Sequence, residues 1–221
     1  YLRVYKLQRG NLERVARKQL TGVPYTLAWS PDGNSLAIGL QDSAKVLVLD
    51  GTSLQTTQIA EVAGSGNLGR VAWAMDGRTL YATGNVSRNA RFPIFAFPDM
   101  GKGAARELDG FSNIATSLLM TAKGLLASSA EPAWALFEPN TGDYLGGNKI
   151  ARADFRDAGE TFRVSADGQA VVFPVAVQGK DLMSFDLGKG ELRPVNGKET
   201  VQAPRIPTFV SNWKNKNNPQ A

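Results

Sequence analysis

Two stretches of this chain can be laid over one another without a gap. Residues 27 to 38 read Leu-Ala-Trp-Ser-Pro-Asp-Gly-Asn-Ser-Leu-Ala-Ile, and residues 71 to 82 read Val-Ala-Trp-Ala-Met-Asp-Gly-Arg-Thr-Leu-Tyr-Ala. The same turn signal recurs as Asp32-Gly33, Asp76-Gly77, Lys123-Gly124 and Asp167-Gly168, with glycines at intervals of 44, 47 and 44 residues. A period of that length admits few folds. Each unit is one supersecondary element that cannot bury its apolar faces alone and must stack against copies of itself.

Within each unit the order is constant: an apolar run, the turn, a second apolar run, a variable loop and a third run. The third runs are Val46 to Asp50, Ile94 to Pro98, Ala135 to Pro139 and Leu182 to Asp186, each followed by a Gly-containing turn. Polar fourth strands are expected at Gln55 to Val62, Ala104 to Leu108, Tyr144 to Ile150 and Glu191 to Val195. Runs of five or six residues bounded by polar loops are too short for helices. Asp-Gly supplies the positive φ that tight hairpins need, because Gly and Asx tolerate it at low cost. Four short antiparallel strands per unit of about 44 residues describe the blade of a β-propeller.

The expected architecture is all-β. Residues 1–20 form the second half of an incomplete blade, since counting back 44 from Asp50 reaches Lys6 within Leu2 to Leu7. Four blades follow at about 21–63, 64–110, 111–151 and 152–200, and 201–221, with Pro204, Pro207 and Pro219, reads as a connector or tail. A closed ring of about seven units would need roughly 300 residues. The expectation is therefore that these 221 residues belong to a longer propeller.

Composition narrows the chemistry. There is neither Cys nor His, which excludes thiolate nucleophiles, Cys/His zinc sites and every triad built on imidazole. With 43% hydrophobic and 20% charged residues the chain is globular, and 25 Lys+Arg against 20 Asp+Glu leave it only mildly basic at +5. No stretch is long and apolar enough to span a membrane as a helix. A cysteine-free chain suits the cytoplasm, the expectation here, and equally a periplasm in which it needs no disulfide.

At Trp29-Ser30-Pro31-Asp32-Gly33, Trp73-Ala74-Met75-Asp76-Gly77 and Val164-Ser165-Ala166-Asp167-Gly168 the chain resembles the WD40-type β-propellers, bacterial ones in particular. It lacks the Gly-His and Trp-Asp dipeptides of that family, so the hydrogen-bond tetrad they form is missing. TolB-like and lactonase-like propellers share such turns. The segment from Ile206 to Lys214 is similar to connectors in large bacterial WD40 proteins, some of which also carry a caspase-like peptidase domain. That resemblance implies a catalytic Cys-His pair elsewhere in a longer protein, and none in these residues.

The candidate sites are few. Gly64-Ser65-Gly66-Asn67-Leu68-Gly69 spells G-x-G-x-x-G, but a strand follows it where a dinucleotide site needs a helix. Trp29 and Trp73 fall on the innermost strand and read as packing between blades. The loops that enter the innermost strand, with those between strands two and three, share one face and carry Arg70, Arg88, Arg91, Phe92, Trp134, Arg152, Phe155 and Arg156. Arginines with aromatics are the composition of protein interaction hot spots. Interleaved Glu131, Asp154, Asp157 and Glu160 interrupt any cationic stripe, so nucleic acid is not expected.

The expectation is a non-catalytic platform without catalytic residues, cofactor or metal. It would hold a protein or peptide partner, or an effector domain of the same polypeptide, as a scaffold, sensor or regulatory part of a larger bacterial protein. The alternative is a ligand-binding or enzymatic propeller of the lactonase or TolB-like kind. Elemental analysis of the purified chain separates them: the platform should carry no stoichiometric divalent metal, whereas one tightly held ion per chain would favour the enzyme.

Overall fold

The computed structural model describes residues 1–131, 133–138, 140–149, 163–165, 169–176, 180–186, 189 and 191–195. The chain opens with an antiparallel pair, β1 (Leu2–Gln8) and β2 (Asn11–Lys18). Four meanders follow, each of four strands paired in chain order. The first joins β3 (Pro24–Trp29), β4 (Ser35–Leu40), β5 (Lys45–Asp50) and β6 (Thr56–Glu61), and the second β7 (Arg70–Trp73), β8 (Leu80–Thr83), β9 (Phe92–Phe97) and β10 (Arg106–Phe111). The third joins β11 (Ala115–Thr121), β12 (Gly124–Ser129), β13 (Ala133–Phe137) and β14 (Tyr144–Lys149), and the fourth β15 (Arg163–Val164), β16 (Ala170–Ala176), β17 (Lys180–Asp186) and β18 (Glu191–Pro194). In the first three meanders the first strand is the innermost: β3 packs on β7 and β7 on β11.

Period-2 alternation gives each strand two faces, and in the first three meanders apolar residues on both faces pack against neighbouring elements. In β5, Val46 and Val48 point into the space shared with the second meander, where they meet Trp73, Leu80, Phe95 and Phe97. Leu47 and Leu49 point the other way and join Leu36, Ile38 and Leu40, against which Leu2 and Leu20 pack. The second and third meanders share Tyr81, Ile94, Leu108, Leu118, Leu125 and Phe137. Each large apolar side chain buried in this way contributes about 1.5–3 kcal/mol.

The turn between the first two strands differs in one detail from the sequence-based expectation. Only the glycine takes a positive φ, +73° at Gly33 and +68° at Gly77. The aspartate acts through its carboxylate: Asp32 Oδ1 accepts from the Asn34 N–H at 3.0 Å and Asp76 Oδ1 from the Arg78 N–H at 2.8 Å. At Lys123-Gly124 the Thr121 hydroxyl substitutes, accepting from the Lys123 N–H at 3.1 Å. Asp167-Gly168 lies outside the described residues.

Adjacent meanders are also tied by polar links. The Thr26 hydroxyl donates to the Gly69 carbonyl at 2.6 Å and accepts from the Val71 N–H at 3.2 Å, while the Trp73 indole N–H donates to the Ala28 carbonyl at 3.0 Å. Trp73 is 4% exposed, as the packing reading requires. Its repeat equivalent Trp29 is 47% exposed: Leu2 and Leu20 pack on β4 and β5, against Leu36, Ile38, Leu40, Leu47 and Leu49, and leave this part of the inner strand open. Trp73→Ala should therefore cost about 3–5 kcal/mol and Trp29→Ala about 1 kcal/mol, read by urea unfolding. Equal losses would contradict this account of the inner strands.

Candidate functional site

The loop between β6 and β7 and the loop between β8 and β9 come together at one end of the sheets. Asn85 Oδ1 accepts from the Asn67 N–H at 2.5 Å, the Leu68 N–H donates to the Ser43 carbonyl at 3.2 Å, and the Gly69 N–H to Asn67 Oδ1 at 3.3 Å. The amides of Asn67, Leu68 and Gly69 are thus turned inward, away from any phosphate, and the loop glycines allow close contact with Asn85 and Arg88.

Arg70, the first residue of β7, is only 9% exposed and lies across the Tyr25 ring, its Cζ 4.1 Å from the centroid and Nη2 3.0 Å from the hydroxyl. Burial pushes the guanidinium pKa down from its ordinary value, and the charge interaction and hydrogen bond with Tyr25 oppose that. Tyr25 is itself 46% exposed, so the pair has one open side.

Arg88 and Arg91 bracket a tight hairpin whose two central residues, Asn89 and Ala90, have φ of +49° and +60°. Arg88 pairs with Glu107 at 3.2 Å and donates to the Ala63 carbonyl at 2.5 Å, stitching this hairpin to the end of the preceding meander. Arg91 pairs with Asp109 at 2.9 Å and also donates to the Gly110 carbonyl. Both are surface pairs, worth well under about 1 kcal/mol each, and they position the guanidinium groups more than they stabilise the fold.

Phe92, which opens β9, is half-buried. Trp134 lies within β13 opposite Ser128 and Asn148 and is 8% exposed, so its indole is buried and not displayed. Arg152, Phe155 and Arg156 lie outside the described residues. Tyr25, Glu107 and Asp109, which hold the arginines, were missed in the sequence. Tyr25 carries no motif, Glu107 falls in the stretch from Ala104 to Leu108 read only as a polar fourth strand, and Asp109 lies just beyond that stretch.

The opposite end carries turns capped by carboxylates. Asp50 Oδ1 accepts from the Ser53 N–H at 2.7 Å and the Thr52 N–H at 3.1 Å, and Glu138 Oε2 accepts from the Asn140 N–H at 2.7 Å and from the Thr141 N–H. These bonds depress both pKa values: the Ser53 and Thr141 amides are the largest causes. The Ser30 hydroxyl, then Asn34, does the same to Asp32. In the apolar interior the Tyr81 hydroxyl is buried without a hydrogen-bond partner among the described residues, and that burial pushes its pKa up to about 12. Among the described residues no three carboxylates gather as metal ligands, and no helix is long and apolar enough to cross a membrane.

No family model and no curated protein matches the sequence. Solved structures do match in three dimensions. U3-55K superposes with a TM-score of 0.63 at 12% identity, covering 80% of this chain and 53% of its own. The WD40 repeats of RRP9 give a TM-score of 0.63 at 11% identity over 80% of this chain and 52% of theirs. The fold is a WD40-type β-propeller. Kuenenia stuttgartiensis hydrazine synthase is also similar, with a TM-score of 0.62 at 17% identity over 86% of this chain and 53% of that one. The chain spans about half the length of the solved chains it matches. Because one of these bears the name of an enzyme, the propeller by itself leaves catalysis open.

The turn carboxylates give the propeller a defined acid response. A depressed folded-state pKa contributes stability that is present above the unfolded-state value, 3.8 for Asp and 4.5 for Glu, and is lost as pH falls through the folded-state value. Thermal unfolding followed by circular dichroism should show the melting temperature falling below about pH 4.5. In Asp50→Asn that fall should be shallower, and an unchanged slope would remove Asp50 from the account.

Proposed function

We propose that this propeller is a non-catalytic platform whose loop face binds a protein or peptide partner. One observation carries the reading: the desolvated Arg70–Tyr25 stack, with its open side, lies at the same end of the stacked sheets as the Arg88–Arg91 hairpin, where the Asn67–Asn85 hydrogen bond joins the two loops. Arginine and tyrosine held in fixed orientation lose little side-chain entropy on binding, which is why such residues dominate binding hot spots. The acids beside Arg88 and Arg91 suit a patterned protein surface better than a phosphate backbone, which calls for uncompensated cations.

Phe92 and Trp134 belong to the proposed face, and Arg152, Phe155 and Arg156, outside the described residues, are assigned to it from their place in the sequence repeat. In this reading the propeller serves as a scaffold or regulatory part of a larger protein, and its partner is either a separate chain or another domain of the same polypeptide. No feature of the described residues favours the caspase-like association of the sequence analysis, and it is not carried further.

The test is a comparison of wild type with the double variant Arg88→Ala and Arg91→Ala, both outside the apolar core. Partners recovered from the source organism by affinity enrichment would be identified by mass spectrometry. The expected result is a partner whose recovery falls about tenfold or more in the variant, a loss of at least about 1.4 kcal/mol, while the melting curve stays in place. Equal recovery would move the binding site away from this face.

A further inference from the structure

Of the arginines at this end of the sheets, Arg88 has a carboxylate partner in Glu107 and Arg91 in Asp109. Arg70 has none: among the described residues no carboxylate forms an ion pair with it. The distribution is the reverse of what solvation alone would give. Arg88 and Arg91 are surface groups, whereas Arg70 is 9% exposed. A buried charge is ordinarily paired, because only a partner offsets the loss of its hydration.

The contacts that Arg70 does make are with a neutral group. Its guanidinium lies over the Tyr25 ring, and Nη2 donates to the Tyr25 hydroxyl at 3.0 Å. That leaves most of five N–H donors and the whole charge without a counterpart. Among the described residues no nitrogen of Arg70 is both sealed from solvent and without a hydrogen bond, so the donors that Tyr25 does not take reach the surface. The backbone around the pair is clamped. The Thr26 hydroxyl bonds on both sides of Arg70, to the Gly69 carbonyl at 2.6 Å and from the Val71 N–H at 3.2 Å, and Gly69 lies so close to the Tyr25 ring that a Cβ there would stand 2.9 Å from it. The guanidinium is therefore oriented before anything binds.

We infer that Arg70 is the seat for an Asp or Glu carboxylate of the bound partner, which rests on the platform reading of this face and adds the chemistry of one contact. A planar carboxylate accepts two parallel N–H bonds from a guanidinium edge, and its single charge matches one unpaired cation. A phosphorylated side chain, with close to two charges, calls for a second free cation, and a nucleic-acid strand for a row of them. Arg88 and Arg91 are already engaged with acids. Tyr25, 46% exposed, offers its ring to the carbon stem of the incoming acid. Burial that makes the lone charge costly also strengthens the pair once it forms, because attraction between charges grows as the surrounding dielectric falls.

Sodium acetate serves as the probe, with acetamide as its neutral isostere and sodium chloride holding the ionic strength constant. In heteronuclear NMR spectra of the full chain the Arg70 Nε–H resonance should move saturably with acetate while those of Arg88 and Arg91 stay. Acetate at about 0.2 M should raise the melting temperature by about 2–4 °C, as a dissociation constant of about 50 mM gives, and acetamide should not. Arg70→Met keeps the bulk and removes the charge. It should lose the gain from acetate and melt no lower than wild type, since an apolar chain replaces an unpaired buried charge. An unmoved Arg70 resonance, an equal gain in Arg70→Met, a variant that melts lower than wild type, or a stronger response to inorganic phosphate than to acetate would each overturn the assignment. Partner recovery with Arg88→Ala and Arg91→Ala is read independently, so failure of this contact and failure of the platform are told apart.

Discussion

Everything in this molecule depends on sheets that are apolar on both faces. An isolated four-stranded meander would expose Val46, Val48 or Leu47, Leu49 whichever way it turned, and no meander here could fold alone without a large exposed patch. Stacking removes the problem for one sheet by passing it to the next. Stability is therefore a property of the junctions between sheets. The junction of the first and second meanders shows how one is built, with Val46, Phe95 and Phe97 providing area and hydrogen bonds of Thr26 and Trp73 fixing the register of β3 against β7.

This dependence explains which features were readable in the sequence. The four-strand unit was legible because turns and apolar runs are local, and strands expected at Gln55 to Val62 and Tyr144 to Ile150 appear at Thr56–Glu61 and Tyr144–Lys149. Hairpin glycines announce themselves through φ, and Gly33 and Gly77 behave as anticipated. The different fates of Trp29 and Trp73 were not legible. Both occupy the same place in the repeat, and what separates them is tertiary packing, since Trp73 is buried in the core between the first two meanders and Trp29 is not.

The candidate face was legible in composition and illegible in geometry. Arg70, Arg88 and Arg91 stood out as arginines on loops, yet nothing local indicated that Arg70 would sink onto Tyr25, 45 residues away in sequence. Trp134 shows the converse. Its position beside a loop suggested display, but strand alternation turns the ring into the stack and leaves it 8% exposed. The partners Glu107 and Asp109 were hidden for the same reason, since ordinary polar residues on an outer strand acquire meaning only once a neighbouring loop folds over them.

The meander connectivity also bears on mechanics. Within every sheet each strand is followed in sequence by its immediate neighbour, so tension carried along the chain pulls adjacent strands apart end-on, and their ladder bonds open one after another. The polar ties between sheets, such as those of Thr26 and Trp73, join innermost strands and lie furthest from the outer strands that such tension would strip first. A propeller built this way resists compression and sideways shear through its packed interior but yields to lengthwise traction by unzipping, blade by blade from the periphery inward.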